Sequence, residues 1–189
     1  ELRWHLADLA GLDLGRTFDV VVMAGNVLGF VDPARRPDAV ASAAAHVGIE
    51  YGIKGPTFAT CSACSTATHA ISIGVDYIRH GVADVAMTGA SEAVLTHGSM
   101  RTWQAMRVLS PEGCFPFSKK RNGTVLGEGA GALVLESLEH AQARGATILA
   151  ELSGFGMASD SQDMVKPTVE GPSVAMQMAL DDAGIGPGQ

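Results

Sequence analysis

The sequence is poor in charged and aromatic residues and has no excess of basic ones. Charged residues make up 17% and aromatic residues 5% of the 189, and 20 acidic against 13 basic side chains give a net charge of -7. Nucleic-acid binding needs a basic surface, so this balance argues against it. No apolar run approaches the roughly 18 residues of a membrane span, and the opening ELRWHLADLAG lacks a signal-peptide layout. We therefore expect a cytoplasmic protein.

Cysteine is also scarce, with three residues in the chain. An odd number without an export signal does not form a disulfide framework, so reduced thiols are expected. A structural zinc site needs four ligands, and neither a second C-x-x-C nor a pair of closely spaced histidines is present. The sequence therefore predicts no metal site and no dissociable redox cofactor.

Hydrophobic residues, at 47%, and glycine, with 23 residues, are abundant. They are arranged in alternating strand-like and helix-like segments. β-Branched runs that end at glycine or at turns predict strands at residues 18–25, 56–61, 83–91, 129–137 and 146–159. Apolar periodicity and closing glycines predict helices at residues 37–52, 64–80, 97–109, 138–145 and 171–184. ELRWHL is interpreted as the middle of a further helix. Strands separated by single helices predict parallel pairing and a layered α/β fold.

The chain has one C-x-x-C, in TFATCSACSTATHAI (residues 57–71). Cys61 is predicted at the end of a strand, and Cys64 on the first turn of the following helix. Free N–H groups and the helix dipole favour a thiolate at Cys64 and could also bind an oxyanion. These features predict a nucleophile for acyl transfer. A cysteine chosen for tight packing and a redox pair with Cys61 remain as alternatives, although Ser62 and Ala63 are unusual between redox cysteines.

Two long blocks carry a resemblance to a known family. The first contains Y-G-x-x-G-P at residues 51–56, Ala-Cys at 63–64, Asp-Val at 84–85 and a glycine turn with a glutamate at 89–92. The second is PFSKKRNGTVLGEGAGALVLESLEHAQARG, followed by a strand. In this order and spacing, from about Phe18 to the end, the chain resembles the β-ketoacyl synthases, the condensing enzymes of fatty-acid and polyketide synthesis.

The resemblance implies a thiolase-like fold of five αβαβα layers, built from two similar halves. Residues 1–146 would be most of the N-terminal half and residues 147–189 the truncated start of the C-terminal half. The family works as a dimer, so a homodimer, or a heterodimer with a related subunit, is expected. The chain is expected to be incomplete as an enzyme, because the family's two catalytic histidines and a supporting lysine belong to the second half beyond residue 189.

By the same resemblance, Cys64 would accept an acyl chain from an acyl carrier protein or coenzyme A as a thioester. A carbanion formed by decarboxylation of a malonyl thioester would then attack it. None of the chain's six histidines takes the place of the catalytic pair, and His46 and His69 are interpreted as structural. Trp103 stands where relatives often have phenylalanine near the acyl pocket, so its larger ring is expected to shorten the accepted chain, with a core role as the alternative.

The basic run Lys119, Lys120 and Arg121 is a candidate docking patch for an acidic carrier protein, because the net charge requires any such patch to be local. The turn around it departs from the family at Ser118, Asn122 and Thr124.

Three alternatives stay open for the chain as a whole. It could be a non-catalytic partner subunit of a condensing heterodimer, which the presence of Cys64 disfavours. It could also be a thiolase-fold enzyme that uses coenzyme A thioesters, or a thiol-redox module based on Cys61 and Cys64.

Overall fold

The computed structural model describes residues 2–5, 20–26, 44–163 and 166–188. Six strands are present in this part of the chain: β1 Leu2–His5, β2 Val20–Asn26, β3 Thr57–Thr60, β4 Val85–Glu92, β5 Gly129–Ser137 and β6 Ala150–Glu151. The helices are α1 Thr66–Arg79, α2 His97–Ala105, α3 Leu138–Ala143 and α4 Glu170–Ala183. Residues 44–50 are helical as well, and the beginning of the helix predicted at 37–52 lies outside the described residues.

All six strands form one sheet in the order β3-β2-β4-β5-β1-β6. β2 pairs in parallel with β3 and β4, whereas β5 is antiparallel to β4, and β1 is antiparallel to β5 and β6. The layered α/β prediction is confirmed, but the prediction of parallel pairing is wrong for three of the five strand pairs. A helix between two strands permits a parallel crossover without requiring it. Here α2 lies beside the end of β4, and the chain returns in the opposite direction as β5.

The sheet carries apolar residues on both faces where β4 and β5 are buried, at residues 85–88 and 134–136. On one face, Ala70, Val75 and Ile78 of α1 pack in one cluster with Ala83, Ala86 and Leu135. The opposite face has Val85, Met87 and Val134, covered by Val47, Tyr51 and Ile53. Gly74 lets α1 approach closely, because a Cβ there would lie 2.6 Å from Thr88 Cγ2. The packing of α1 on the sheet fixes where the helix begins, and therefore where Cys64 lies.

Two segments differ from their sequence-based predictions. Leu2–His5 is a strand paired with residues 134–137, so its interpretation as helix was wrong. The long strand predicted at 146–159 is reduced to the two residues of β6. Residues 154 and 156 lie instead against α4, where a Cβ on Gly156 would come within 2.0 Å of the Ala175 carbonyl oxygen. Glycines in this segment serve close contact with a helix backbone rather than a strand.

An ion pair joins the end of α1 to the end of α4. Arg79 donates from Nη1 to both Asp182 carboxylate oxygens at 2.9 and 2.8 Å, and from Nη2 to the Ser153 carbonyl at 3.1 Å. The Arg79 guanidinium also lies 5.5 Å from the centroid of the Phe155 ring. These contacts cross position 146/147, where the sequence predicts the boundary between the two halves. That division remains a prediction.

The Arg79–Asp182 contact predicts an acid-sensitive attachment of α4. The hydrogen bond from Arg79 lowers the pKa of Asp182, helped by the Phe155 N–H and the charge of Arg79 and opposed by desolvation. The stabilisation is therefore present above the unfolded-state pKa of about 4 and is lost as pH falls through the lowered folded-state pKa. We expect Asp182→Asn to be less stable than the wild type at neutral pH, and this difference to shrink below about pH 4.

Denaturant unfolding of both proteins at a series of pH values checks this expectation. Asp181→Asn is the matched control, since Asp181 is on the same helix and accepts instead from Gln177 Nε2. A stability difference between wild type and Asp182→Asn that does not change with pH would contradict the prediction.

Candidate active site

Cys64 lies in the turn that leads from β3 into α1. β3 ends at Thr60, a single 3₁₀ turn spans Ala63–Ser65, and α1 begins at Thr66. The cysteine is exposed, two residues before the α-helix rather than within its first turn as predicted. Unpaired N–H groups cluster at such a helix start, so the position suits a group that carries or develops negative charge.

The residue before Cys64 has an unusual backbone. Ala63 has φ = +51°, in the left-handed region that residues with a Cβ rarely adopt. This conformation costs about 1–2 kcal/mol and must be held by its surroundings. Thr66 supplies part of that support, because its buried Oγ1 donates to the Ala63 carbonyl at 2.6 Å and accepts from the Ser62 N–H at 2.8 Å. The turn therefore holds the cysteine in a fixed, outward position.

A cleft of about 950 Å³ opens beside Cys64. Its walls come from the Cys64 turn, from the adjoining ends of β4 and β5 at residues 90–92 and 129–131, and from α2 with the loop before it. The polar side chains of this lining are those of Cys64, Thr66, Ser91, Glu92, Thr96, Ser99 and Thr102. The remaining lining residues are glycine, alanine, valine and one tryptophan, so the wall combines polar and apolar groups.

Close pairing of β4 with β5 shapes the floor of the cleft. Gly89 lies where a Cβ would be 2.7 Å from the Gly131 carbonyl oxygen, so a larger residue would push the strands apart. At the end of this ladder, Glu92 pairs with Gly129. Glu128 accepts from the Leu95 N–H at 2.9 Å and so ties the loop after β4 to the start of β5. These contacts hold residues 90–92 and 129–131 opposite Cys64.

Trp103 lies on α2 and lines the same cleft as Cys64. α2 begins at a capped end, where Thr96 Oγ1 accepts from the Ser99 N–H at 3.2 Å. This cap fixes the helix face that carries Ser99, Thr102 and Trp103 towards the cleft. The structure therefore brings together the two residues that the sequence placed at the acyl site.

Lys119, Lys120 and Arg121 are exposed and do not line the cleft. They follow Ser118, whose hydroxyl accepts from the Lys120 N–H at 3.1 Å and whose carbonyl accepts from the Arg121 N–H at 3.2 Å. The loop is closed at its base by Leu109 and Thr124. A compact turn thus presents three cations to solvent, and their part in docking remains a prediction.

Cys64 differs from the other two cysteines in its surroundings. All three thiols are free and exposed, but Cys61 and Cys114 do not line the cleft. The sequence analysis did not identify Glu92 or Thr66 as site residues, or the left-handed backbone of Ala63. Glu92 was visible only as part of the glycine turn, and the sequence has no signal for the left-handed backbone of Ala63, because alanine disfavours that conformation.

Comparison with known proteins identifies the family of this arrangement. The profile described as "Beta-ketoacyl synthase, N-terminal domain" matches residues 19–141, more than half of the chain. The chain is 52% identical over 158 residues to nodulation protein E of Rhizobium leguminosarum bv. trifolii, covering 84% of this chain and 39% of that protein. It is 45% identical over 165 residues to 3-oxoacyl-[acyl-carrier-protein] synthase 2 of Staphylococcus aureus, covering 84% and 40%.

A solved structure shows the same fold. It contains a type II polyketide synthase acyl-carrier protein in complex with its ketosynthase bound to the hexaketide, and it matches with a TM-score of 0.79 at 30% identity. The match covers 96% of this chain and 52% of that one. The predicted thiolase-like fold is confirmed by such ketosynthase neighbours. The chain spans about two fifths of the length of the curated relatives it matches.

Proposed function

Because the chain belongs to the β-ketoacyl synthase family, we propose that it supplies the acyl-accepting site of a decarboxylative condensation, with Cys64 as the nucleophile. The observation that carries this proposal is the placement of Cys64. It is the one cysteine of the three that lines the cleft, and the hydrogen bond from Thr66 to the Ala63 carbonyl holds its turn in place. A cleft of about 950 Å³ with largely apolar walls is large enough for an acyl chain.

The proposed chemistry has two stages. The Cys64 thiolate attacks the carbonyl of an acyl thioester, the carrier thiol leaves, and the acyl group stays on sulfur. Loss of carbon dioxide from a malonyl thioester then gives a carbanion, which forms a carbon–carbon bond to the acyl carbonyl and releases the Cys64 thiolate. N–H groups at the helix start are placed to bind the oxyanion of each tetrahedral intermediate. No described histidine side chain lines the cleft, so the proposal assigns decarboxylation to groups outside the described residues.

The direct test is condensation by the natural protein that carries this sequence. We expect an acyl thioester and a malonyl thioester to give a β-ketoacyl thioester and one carbon dioxide, with acyl-Cys64 accumulating when malonyl thioester is withheld. Peptide mass spectrometry locates the acyl group. Acyl transfer without condensation would reduce the proposal to its first stage. Absence of acylation would favour a non-catalytic partner subunit, and a Cys61–Cys64 disulfide would favour the redox alternative.

Trp103 is proposed to limit the length of the acyl chain. Its indole occupies part of the cleft that holds Cys64, so Trp103→Phe should enlarge the space for the chain. We expect acylation to shift towards longer substrates, by roughly fourfold for each additional methylene that the wider cleft buries. Competition between acyl thioesters of different length measures the shift.

The control for this change is Met100→Leu, which alters the same helix outside the cleft lining. An unchanged chain-length preference in Trp103→Phe would remove Trp103 from the acyl site and leave it as a core aromatic.

We further propose that the substrate arrives on an acyl carrier protein that contacts Lys119, Lys120 and Arg121. Replacing all three with alanine should weaken carrier binding by about tenfold at low salt and by less at high salt, because rim charges act mainly through screened, long-range attraction. Binding is measured by calorimetry or surface plasmon resonance, with acylation from a small thioester as a second readout that should not change.

The matched control replaces three other exposed cations outside the cleft, Lys54, Arg101 and Lys166. Equal weakening by both triple variants would show a general charge effect and exclude a specific patch.

The proposal also expects a dimer in solution, either a homodimer or a heterodimer with a related subunit.

A further inference from the structure

Three residues form hydrogen bonds with Ser62 at the point where the chain leaves β3 for the Cys64 turn. Its N–H donates to Thr66 Oγ1 at 2.8 Å, and its carbonyl accepts from Ser65 Oγ at 2.8 Å. Its own Oγ lies 2.5 Å from His69 Nδ1. Every polar group of Ser62 is therefore engaged by a residue that follows it in the chain.

Of these three contacts, the one with His69 differs in kind. Ser65 belongs to the 3₁₀ turn itself, and Thr66 is the first residue of α1. His69 lies a full turn further along α1, so its bond ties the turn to the body of the helix. α1 in turn packs on β4 and β5 through the core that contains Ala70 and Val75. Through His69, Ser62 is therefore held against the part of α1 that packs on the sheet.

The chain between Ser62 and Cys64 is a single residue in an unfavourable conformation. Ala63 has φ = +51°, which an alanine leaves readily when its neighbours permit. A change in the position of Ser62 would therefore be transmitted through Ala63 to the Cys64 sulfur. His69 itself does not line the cleft.

We propose that His69 is a positioning residue that, through Ser62, holds the Ala63 backbone in its left-handed state and so orients Cys64 towards the cleft. This inference rests on the proposed function of Cys64. It assigns a task to a histidine that the sequence analysis interpreted as structural. The hydrogen bond serves this purpose in either direction, since the hydroxyl can donate to Nδ1 or accept from a protonated Nδ1.

The hydrogen bond suggests a matched set of variants. His69→Asn keeps a polar atom near the place of Nδ1 and should preserve the bond, whereas His69→Leu keeps bulk and removes it. Ser62→Ala removes the same bond from the other side. His80→Leu is the control, because His80 lies at the other end of α1 and its Nδ1 contacts the Asp76 carbonyl at 2.7 Å.

The experiment measures alkylation of each cysteine by iodoacetamide, with peptide mass spectrometry and with Cys61 and Cys114 as internal references. We expect His69→Leu and Ser62→Ala to slow Cys64 relative to these references by roughly fivefold, the effect of one lost hydrogen bond on an ordered reactive geometry. His69→Asn should stay within about twofold of the wild type, and His80→Leu should not change the ratio. Thermal unfolding of each variant separates this effect from a general loss of structure.

The possible outcomes separate this inference from the proposed function. A selectively reactive Cys64 that is unchanged in His69→Leu would overturn the positioning role and leave the nucleophile in place. Equal slowing by His69→Leu and His69→Asn would show that the hydrogen bond to Ser62 does not set the reactivity of Cys64, which also overturns the positioning role. If His69→Leu does not fold, Ser62→Ala makes the same comparison.

A wild-type Cys64 that reacts no faster than Cys61 would instead contradict the proposed function. Amide hydrogen exchange of the peptide containing residues 62–65 then decides the positioning role. Faster exchange in His69→Leu but not in His69→Asn would support it, and unchanged exchange in both would overturn it.

Discussion

Cys64→Ser should lower acyl transfer from an acyl thioester to the protein by about a thousandfold or more. A serine hydroxyl at this position is a weak nucleophile unless a base removes its proton, and no described histidine side chain lines the cleft. The replacement keeps the size of the side chain and the geometry of the turn, so binding of the acyl chain should survive. Intact-protein mass spectrometry against time measures the covalent adduct, and fluorescence with an acyl analogue measures binding.

The other two cysteines provide the controls for this substitution. Cys61 is exposed just after β3, and Cys114 is exposed in the loop after α2, both outside the cleft lining. Cys61→Ser and Cys114→Ser should acylate within about twofold of the wild type, the scatter expected for surface changes. An adduct that persists in Cys64→Ser and maps to another residue would assign the nucleophile elsewhere.

Elements with strong local patterns were predictable from the sequence. The run at 83–91 and the run at 129–137 correspond closely to Val85–Glu92 and Gly129–Ser137, because both contain consecutive apolar residues and glycine. The helix after Cys64 was visible from its 3.6-residue period, and it ends before Gly81, which has φ = +67°. Periodicity and closing glycines are properties of neighbouring residues, so one sequence is enough to show them.

Features that depend on distant partners were not predictable in the same way. Whether β5 runs parallel or antiparallel to β4 depends on the path of residues 93–128, and four residues such as Leu2–His5 carry too little pattern to distinguish strand from helix. The contact between Ser62 and His69 joins residues seven apart across a change from turn to helix. It accompanies the left-handed backbone of Ala63, which the sequence does not specify.

The second large effect is expected at a buried acid on β5. Glu136 is 1% exposed, and its carboxylate accepts a bidentate pair from Arg144, Nε to Oε2 at 2.7 Å and Nη2 to Oε1. His140 Nδ1 lies 2.8 Å from the same Oε2. The hydrogen bond to Glu136 raises the pKa of Arg144 against the desolvation that lowers it. Arg144 therefore keeps its charge in a largely desolvated ion pair with Glu136.

Glu136→Gln should lower the free energy of unfolding by about 3 kcal/mol. The substitution keeps the shape of the side chain but removes the charge that compensates Arg144, whose side chain is only 21% exposed. Breaking one member of a buried pair costs more than the pair itself contributes, because the remaining charge stays desolvated. Denaturant unfolding measures the change. The same strand that holds Glu136 provides residues 129–131 of the cleft, so acylation of Cys64 should lose its heat resistance together with the fold.

Two further variants separate the charge pair from other causes. Glu139→Gln changes an exposed carboxylate three residues away and should stay within about 0.5 kcal/mol of the wild type. Replacing Glu136 and Arg144 together with leucine removes both charges, and it should recover most of the lost stability, because an apolar pair has no desolvated charge to compensate. A double variant as unstable as Glu136→Gln would show that the hydrogen bonds, which join β5 to the last turn of α3, matter more than the charge.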